Sequence, residues 1–503
     1  MKRLLVTFPL FLLSVIGPPP LLAEYAPVRE KVPEPLREFR AAWIATVHNI
    51  DWPSRRGLSG PQQRTELIEL FDLAASVGIN AIVLQVRTEC DALYPSKIEP
   101  WSAWLSGTMG NPPSDNYDPL AFAITEAHRR GMELHAWFNP YRSSATDSTN
   151  KSSRHISRTH PSLMMRAGSQ VWANPGAQYV QDRAIQVMTD VTSRYDVDAI
   201  HMDDYFYPYP KVVNGKTMDQ FDDSATYAAY RRKGGQLALR DWRRSQVDAF
   251  VNRLYRSIKS TKSHVKVGIS PFGIWRPGHP ASVKAGLDAY EHICADSRKW
   301  LHEGWLDYFS PQLYWRIKPS DQGFTDLTRW WAEQNRLGRH LWPGIASSRI
   351  MSSADPGRPA SETTAQIDVT RRYGANKLGA GHIHWSFSAI KEDRGGLRKL
   401  LGQSYAVTAV PPASPWLGSS PPEGVYVAPD SEDGALHLSF KPDAEARWRL
   451  IQVREKPGSD WITLRLVPAT QETYRLEGRP YQIAFRHVSR TGILSVPTVL
   501  QKR

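Results

Sequence analysis

From Phe39 to Gln403 the chain alternates short apolar runs with longer stretches in which apolar residues recur every three or four positions. The runs are FRAAWIAT, NAIVLQVR, MELHAWF, VDAIHMDD, VKVGISPF, LDYFSPQLYW, LWPGIAS and GAGHIHWSF. Near-continuous hydrophobicity of this kind suits strands buried on both faces, as parallel strands are. Between the first two runs, Leu67, Leu70, Phe71, Ala74 and Val77 form a 3.6-residue stripe that predicts an amphipathic helix. Asp118 followed by Pro119 predicts a helix start, and Gly131 a stop. Eight strand and helix repeats predict an α/β protein built as a (β/α)8 TIM barrel over residues 38–405, in preference to an open doubly wound sheet. No glycine-rich dinucleotide fingerprint follows the first strand, and no cofactor is expected.

The pattern changes after Ala409. PPASPWLGSSPPEG reads as a linker, taken as 406–423, and ALHLSF, RWRLIQVRE, WITLRLV and YQIAFRHVS alternate as the strands of a small all-β sandwich over 424–503, of fibronectin type III-like kind. At the other end, Lys2 and Arg3 precede an apolar run from Leu4 to Ile16 and a break at Gly17-Pro18, which reads as a secretory signal over 1–23, followed by a proline-rich leader over 24–37. The apolar run is short for a bilayer span. Export to the periplasm or cell envelope, with no stable membrane span after cleavage, is the expectation.

In a TIM barrel the active site gathers at the C-terminal ends of the strands, where side chains alternate between the barrel interior and the helix layer. On the fourth strand Ile200 and Met202 suit the helix layer, which turns His201 and Asp203 inward. The same rule turns His135, Trp137 and Asn139 inward on the third strand, and Gln85, Arg87 and Glu89 on the second. It also turns in Ser310, Gln312 and Tyr314 on the sixth, and His382, His384 and Ser386 on the eighth. Polar and aromatic groups from several strands thus converge on one axis.

Cleavage of a glycosidic bond needs one ionised carboxyl to attack or stabilise the anomeric carbon and one protonated carboxyl to donate to the leaving oxygen. Asp203 is the expected nucleophile or base, with the adjacent Asp204 supporting it or exchanging roles. Their proximity raises one of the two pKa values. Candidates for a separate acid are Asp296, Glu89 and Asp91, each of which an ordinary ion pair could also explain. Trp43, Trp137, Trp275, Tyr314 and Trp315 stand at or beyond strand ends, where aromatic faces can stack on sugar rings or simply fill the core. His201 with Asp203, His135 and His384 could instead hold a metal, but the first strand lacks the His-x-His such sites use, and no metal is expected.

Composition sharpens this picture in three ways. The chain of 503 residues has 18 Trp and 20 Tyr, in keeping with a carbohydrate ligand. Its net charge of +13 suits anionic envelope surroundings; the basic residues are scattered and match no nucleic-acid motif, so nucleic acid is not expected as a partner. Only Cys90 and Cys294 occur, which excludes a disulfide scaffold.

The segments AAWIATVHNIDWPS, QVRTECDALYPSKIEPWS, YDPLAFAITEAHRRGMELHAWFNPYR, YDVDAIHMDDYFYP, VGISPFGIWRPG and ADSRKWLHEGWLDYFSPQLYW, with the Trp330-Trp331 pair, resemble the bacterial glycosyl hydrolase-like 10 family across the whole barrel. The resemblance implies a TIM-barrel glycoside hydrolase acting on a polysaccharide of the envelope, in particular peptidoglycan glycan strands that lack stem peptides. It implies partners among cell-division or envelope proteins, since one member of the family localises to the divisome. The family's DDY falls on Asp203, Asp204 and Tyr205, and the same carry-over implies Arg87, Asn139, Arg142, Asp296, Gln312 and Trp315 as pocket residues. No cysteine follows the signal to accept a lipid. An exopolysaccharide substrate and a catalytically silent carbohydrate-binding barrel stand as the alternative readings.

Overall fold

The computed structural model describes residues 24–145, 151–214, 216–318, 321–432 and 435–503. The signal read at 1–23 lies outside the described residues. Eight parallel strands form the central sheet: β1 (Leu36–Ile44), β2 (Ala81–Arg87), β3 (Glu133–Phe138), β4 (Ala199–Met202), β5 (Lys266–Ile269), β6 (Tyr308–Phe309), β7 in two pieces (His340–Leu341 and Gly344–Ile345) and β8 (Ala380–His384). Neighbours follow the chain from β1 to β6, β8 lies beside β1, and the sheet curls so that the first piece of β7 pairs with β6 and the second with β8. Trp342, between the two pieces, donates its backbone N–H to Phe309 at 2.9 Å, and Ile383 donates to Pro343 at 3.1 Å. The result is a TIM-barrel-like α/β fold.

Parallel neighbours require a crossover on one face, and each strand is followed by a helix that supplies it. The helices are α1 (Gly60–Ser76), α2 (Pro119–Arg129), α3 (Gln178–Arg194), α4 (Leu239–Thr261), α5 (Ser297–Glu303), α6 (Phe324–Gln334), α7 (Ala360–Val369) and α8 (Leu397–Ser404). α1 begins at Ser59, whose side chain and that of Gln62 form a reciprocal capping box, and it buries Leu67, Leu70, Phe71 and Ala74. Asp118 caps α2 by accepting from Leu120 and Ala121, with Pro119 in the first turn.

The strands' inward side chains fill the barrel in layers. Glu133 and Lys266 pair at 2.7 Å in the lower layer. Above them, His135 and His201 both hydrogen-bond the Tyr308 hydroxyl, at 2.9 and 2.8 Å. Tyr308 occupies the space a β-carbon would need at Gly268, and Trp342 does the same at Gly381. Aromatic bulk on one strand is thus accommodated by glycine on another.

The phase of β8 is opposite to the one expected. Gly381 faces the barrel axis and Ile383 joins the interior cluster with Phe39, Trp43 and Trp137. His382 and His384 instead face the helix layer, where the Tyr405 hydroxyl beyond α8 bonds Nε2 of both. Polarity alone misleads at this strand, because a buried outward histidine is tolerated once a hydroxyl meets it.

The C-terminal region is all-β. One three-stranded sheet runs Val427–Glu432, Ala435–Phe440, Thr473–Leu476; a five-stranded sheet runs Tyr25–Val28, Thr498–Lys502, Gln482–Ser489, Ala446–Arg454, Ile462–Pro468. Between them lies a core that includes Leu436, Ile451, Phe485 and Leu500. Tyr25–Val28, within the stretch read as a leader, is an edge strand of the larger sheet, antiparallel to Thr498–Lys502. The stretch read as a linker is also held: Ala409–Val410 pairs with β1, and the Trp416 indole donates to Asp307 at 2.8 Å. No helix among the described residues is long and apolar enough to cross a membrane.

Candidate active site

A cavity of about 390 Å³ opens at the C-terminal ends of the strands. Trp43 from β1, Gln85 from β2, Trp137 from β3, Asp203, Asp204 and Tyr205 beyond β4, Ser270 beyond β5, and Gln312, Tyr314 and Trp315 beyond β6 all line it. Asp203 and Asp204 are the two carboxyl-bearing residues of the lining.

Asn139, the residue just beyond β3, donates its side-chain N–H to Asp203 Oδ2 at 2.5 Å. Its own carbonyl oxygen accepts from Gln85 Nε2 and from Arg142 Nη2, so its orientation is set from two sides. Gln85 is held in turn by the backbone N–H groups of Thr46 and Val47, each at 2.9 Å. Arg142 donates to the Thr88 carbonyl at 3.0 Å and lies over the Tyr205 ring. Asp204 accepts a hydrogen bond from the Tyr209 hydroxyl and is also bonded by Gln312. The two neighbouring carboxyls therefore turn toward different walls, Asp203 to the β3 side and Asp204 to the β6 side.

Both carboxyls are almost wholly removed from solvent. Burial pushes the Asp203 carboxyl above the usual aspartate range and the charge of Asp204 adds to the effect, against the opposing pull of Arg142 and Asn139. Burial also raises Asp204, with Tyr209 and Gln312 opposing. Two close buried carboxyls cannot both ionise cheaply, so the pair titrates as a unit and keeps a proton to higher pH than isolated aspartates do. Burial with the adjacent Asp204 charge drives the Tyr209 hydroxyl well above its ordinary pKa, which keeps it a donor. Burial likewise holds His201 far below its ordinary value, so its ring is neutral beneath the pair.

Tryptophans from β1, β3 and beyond β8 line another part of the cavity. Trp385 meets Trp43 and Trp137 edge to face, with ring centroids 6.1 and 6.0 Å apart. The Trp43 indole donates to His201 Nε2 at 3.1 Å. The Trp137 indole N–H is buried and bonds no described protein group.

Several expected site residues stand elsewhere. Asp296 caps α5 by accepting from Lys299 and takes the Trp275 indole at 3.0 Å, and Trp275 stacks on Trp330 outside the cavity. The cap satisfies the free N–H groups of a helix start, which is a structural use of the acid. Arg87 forms a buried bidentate pair with Glu99 and donates to the Asn139 and Pro140 carbonyls, bracing the β3 end from behind. Asp91 closes a tight turn on the Thr88 and Glu89 N–H groups, and Glu89 accepts from Ala145. His135 bonds Glu133 and Tyr308 below the cavity, His201 bridges Tyr308 and Ser270 beneath the carboxyl pair, and His384 lies behind β8.

Other lining residues carried no signal in the inward alternation. Tyr209 lies in the loop five residues past Asp204, in the same YFYPYP run of aromatics. Trp385 follows the true phase of β8, and Arg349 follows β7 in a short turn, Ser347–Arg349.

The glycosyl hydrolase-like 10 family profile matches residues 38–357, which takes in β1 to β7 and the carboxyl pair. This chain belongs to the glycosyl hydrolase-like 10 family. Among its relatives, the glycosyl hydrolase YngK of Bacillus subtilis (strain 168) is 36% identical over 457 residues, covering 88% of this chain and 84% of that protein. The glycosyl hydrolase DigH of Escherichia coli (strain K12) is 35% identical over 375 residues, 69% of this chain and 82% of its own length. Among solved structures, the glycoside hydrolase domain of PgaB (BpsB) from Bordetella bronchiseptica aligns with a TM-score of 0.45 and 13% identity, covering 73% of this chain and 99% of that one. Family membership and the two glycosyl hydrolase relatives make this chain a glycoside hydrolase, with a carbohydrate as its substrate.

Proposed function

We propose that this hydrolase is exported and cleaves envelope glycan, in particular peptidoglycan strands that carry no stem peptides, using Asp203 and Asp204. The observation that carries this reading is a buried pair of carboxyls in one cavity with four tryptophans, Trp43, Trp137, Trp315 and Trp385. With one proton on the pair, the protonated carboxyl donates to the leaving glycosidic oxygen as the C–O bond breaks. The ionised one stabilises or attacks the anomeric carbon, and water completes hydrolysis. Asn139, held by Gln85 and Arg142, fixes one carboxyl, while Tyr209 and Gln312 fix the other. The tryptophan faces pack on the C–H faces of sugar rings. The secretory pattern of residues 1–23 and the net positive charge support a place in the periplasm or envelope, near cell-division or envelope proteins. The C-terminal two-sheet unit, read as a fibronectin type III-like module, positions the barrel on its polymer.

The test is release of new reducing ends from peptide-free strands, peptide-bearing strands and neutral polysaccharides by the wild type, Asp203→Asn and Asp204→Asn. Wild-type cleavage of peptide-free strands with a loss of at least about 1,000-fold in either variant is expected. Equal turnover by all three proteins, or cleavage of neutral polysaccharide alone, refutes the proposal.

A further inference from the structure

We infer that Arg349 reads a carboxylate on the sugar chain and so gives this hydrolase its preference for glycan from which peptide has been removed. Arg349 lines the same cavity as Asp203 and Asp204. One corner of its guanidinium is anchored by donation from Nη1 to the Tyr314 carbonyl at 2.9 Å. No carboxylate among the described residues lies within ion-pairing distance of it. The acid in its neighbourhood, Asp355, is already bound by Arg316 at 2.7 Å and by Arg358 at 3.3 Å.

Several withdrawn arginines in the chain are treated differently. Arg87 is paired with Glu99, Arg243 with Asp223 and Arg447 with Asp198. The second arginine of the cavity, Arg142, is committed to Thr88 and Asn139. Arg349 is half-buried and keeps donors unused in a fork that fits a carboxylate by two parallel hydrogen bonds. A half-buried cation at a substrate cavity, supplied with a backbone carbonyl and no anion, is complementary to an anion brought by the ligand.

The inference rests on the proposed envelope-glycan substrate and adds the group recognised. In wall glycan, the stem peptide is joined through an amide to the lactyl carboxyl of the muramic sugar. Hydrolysis of that amide by water releases the bulky peptide and leaves a free carboxylate on the lactyl group where a neutral amide link stood. An amide-cleaving step therefore supplies the group that Arg349 binds, and the glycosidase acts after it. A uronic acid offers the same carboxylate chemistry from a different ring position.

The experiment measures kcat and KM for the wild type, Arg349→Met and Arg349→Lys on three polymers: peptide-free wall strands, the same strands with their lactyl carboxylates converted to methylamides, and a polyuronate. For the wild type, masking the carboxylate is expected to raise KM about 10- to 100-fold with little change in kcat. Arg349→Met should show the raised KM on both strand forms, and Arg349→Lys, with charge but no fork, should fall between. Equal wild-type KM on free and masked strands overturns the inference while leaving the hydrolase reading intact, as does an Arg349→Met protein that keeps the preference. Cleavage of polyuronate alone, with a KM that rises in Arg349→Met, supports carboxylate reading and refutes the wall-glycan substrate. Cleavage of no carboxylate polymer overturns both.

Discussion

Asn139 Nδ2 lies 2.5 Å from Asp203 Oδ2, which ties the end of β3 to the end of β4 at the point where the chemistry is expected. A carboxylate that must point at an anomeric carbon is useful only in one orientation, and a fixed amide donor supplies that at no cost of reorganisation. Asn139→Ala is therefore expected to lower kcat by about 10- to 100-fold, the range for one hydrogen bond to a charged group. KM should change little. Kinetics on peptide-free strands test this; an unchanged kcat would place Asn139 outside the reaction.

Keeping a carboxyl at Asp203 costs stability. Its folded pKa is raised by burial and by Asp204, above the roughly 3.9 of an unfolded aspartate. Its contribution is fully present below that value and is lost as pH rises through the folded pKa, because the unfolded chain ionises first. Asp203→Asn, which imitates the protonated group, should melt a few degrees above wild type at pH 8, with the difference vanishing near pH 4. Thermal melts across that pH range decide it, and a variant less stable than wild type at pH 8 would contradict the burial argument.

The strand alternation made much of this legible. Inward Trp137, Asn139 and Asp203 follow from the apolar residues between them, because a period of two forces alternate side chains to one face. It failed at β8, where Tyr405 makes outward histidines tolerable, and at β2, where the strand ends at Arg87 and Glu89 has already entered a turn. The residues beyond strand ends, Tyr209 and Arg349, were invisible to it, since a loop has no period. Asp296 shows the converse problem: a capping aspartate and a catalytic one look alike until the helix start beside it is seen.

The tryptophans of the cavity give a separate prediction. Trp137 offers the ligand both a ring edge and an unbonded indole N–H. Trp137→Phe keeps an aromatic body and removes the donor, so KM should rise severalfold with kcat nearly constant. Trp385→Ala removes the ring that packs on Trp43 and Trp137, and a KM increase of about 10-fold or more is expected. Unchanged KM in both variants would place the sugar elsewhere in the cavity.

The barrel and the C-terminal sheets meet through a buried charge. Arg447, on Ala446–Arg454, places Nη2 3.0 Å from Asp198 Oδ1 just before β4, while His128 Nε2 sits 2.8 Å from the other carboxylate oxygen and the Leu134 N–H also donates to it. Burial alone would raise the Asp198 carboxyl, yet Arg447 and His128 hold it far below the usual range. Such a depressed pKa contributes stability above about pH 3.9 that is lost as pH falls through the folded value. Arg447→Met keeps the volume but strands the carboxylate, so a loss of about 3 to 5 kcal/mol is expected at neutral pH. The loss should shrink toward pH 3, where Asp198 can protonate in the variant. Arg447 also binds Asp196, which is half exposed, and Asp196→Asn should cost no more than about 1 kcal/mol. Denaturant titrations of both variants at pH 7 and pH 3 separate these cases: equal losses at the two pH values, or a larger loss from Asp196→Asn, would mean that packing around Trp448 holds the two units together, and that the buried ion pair does not.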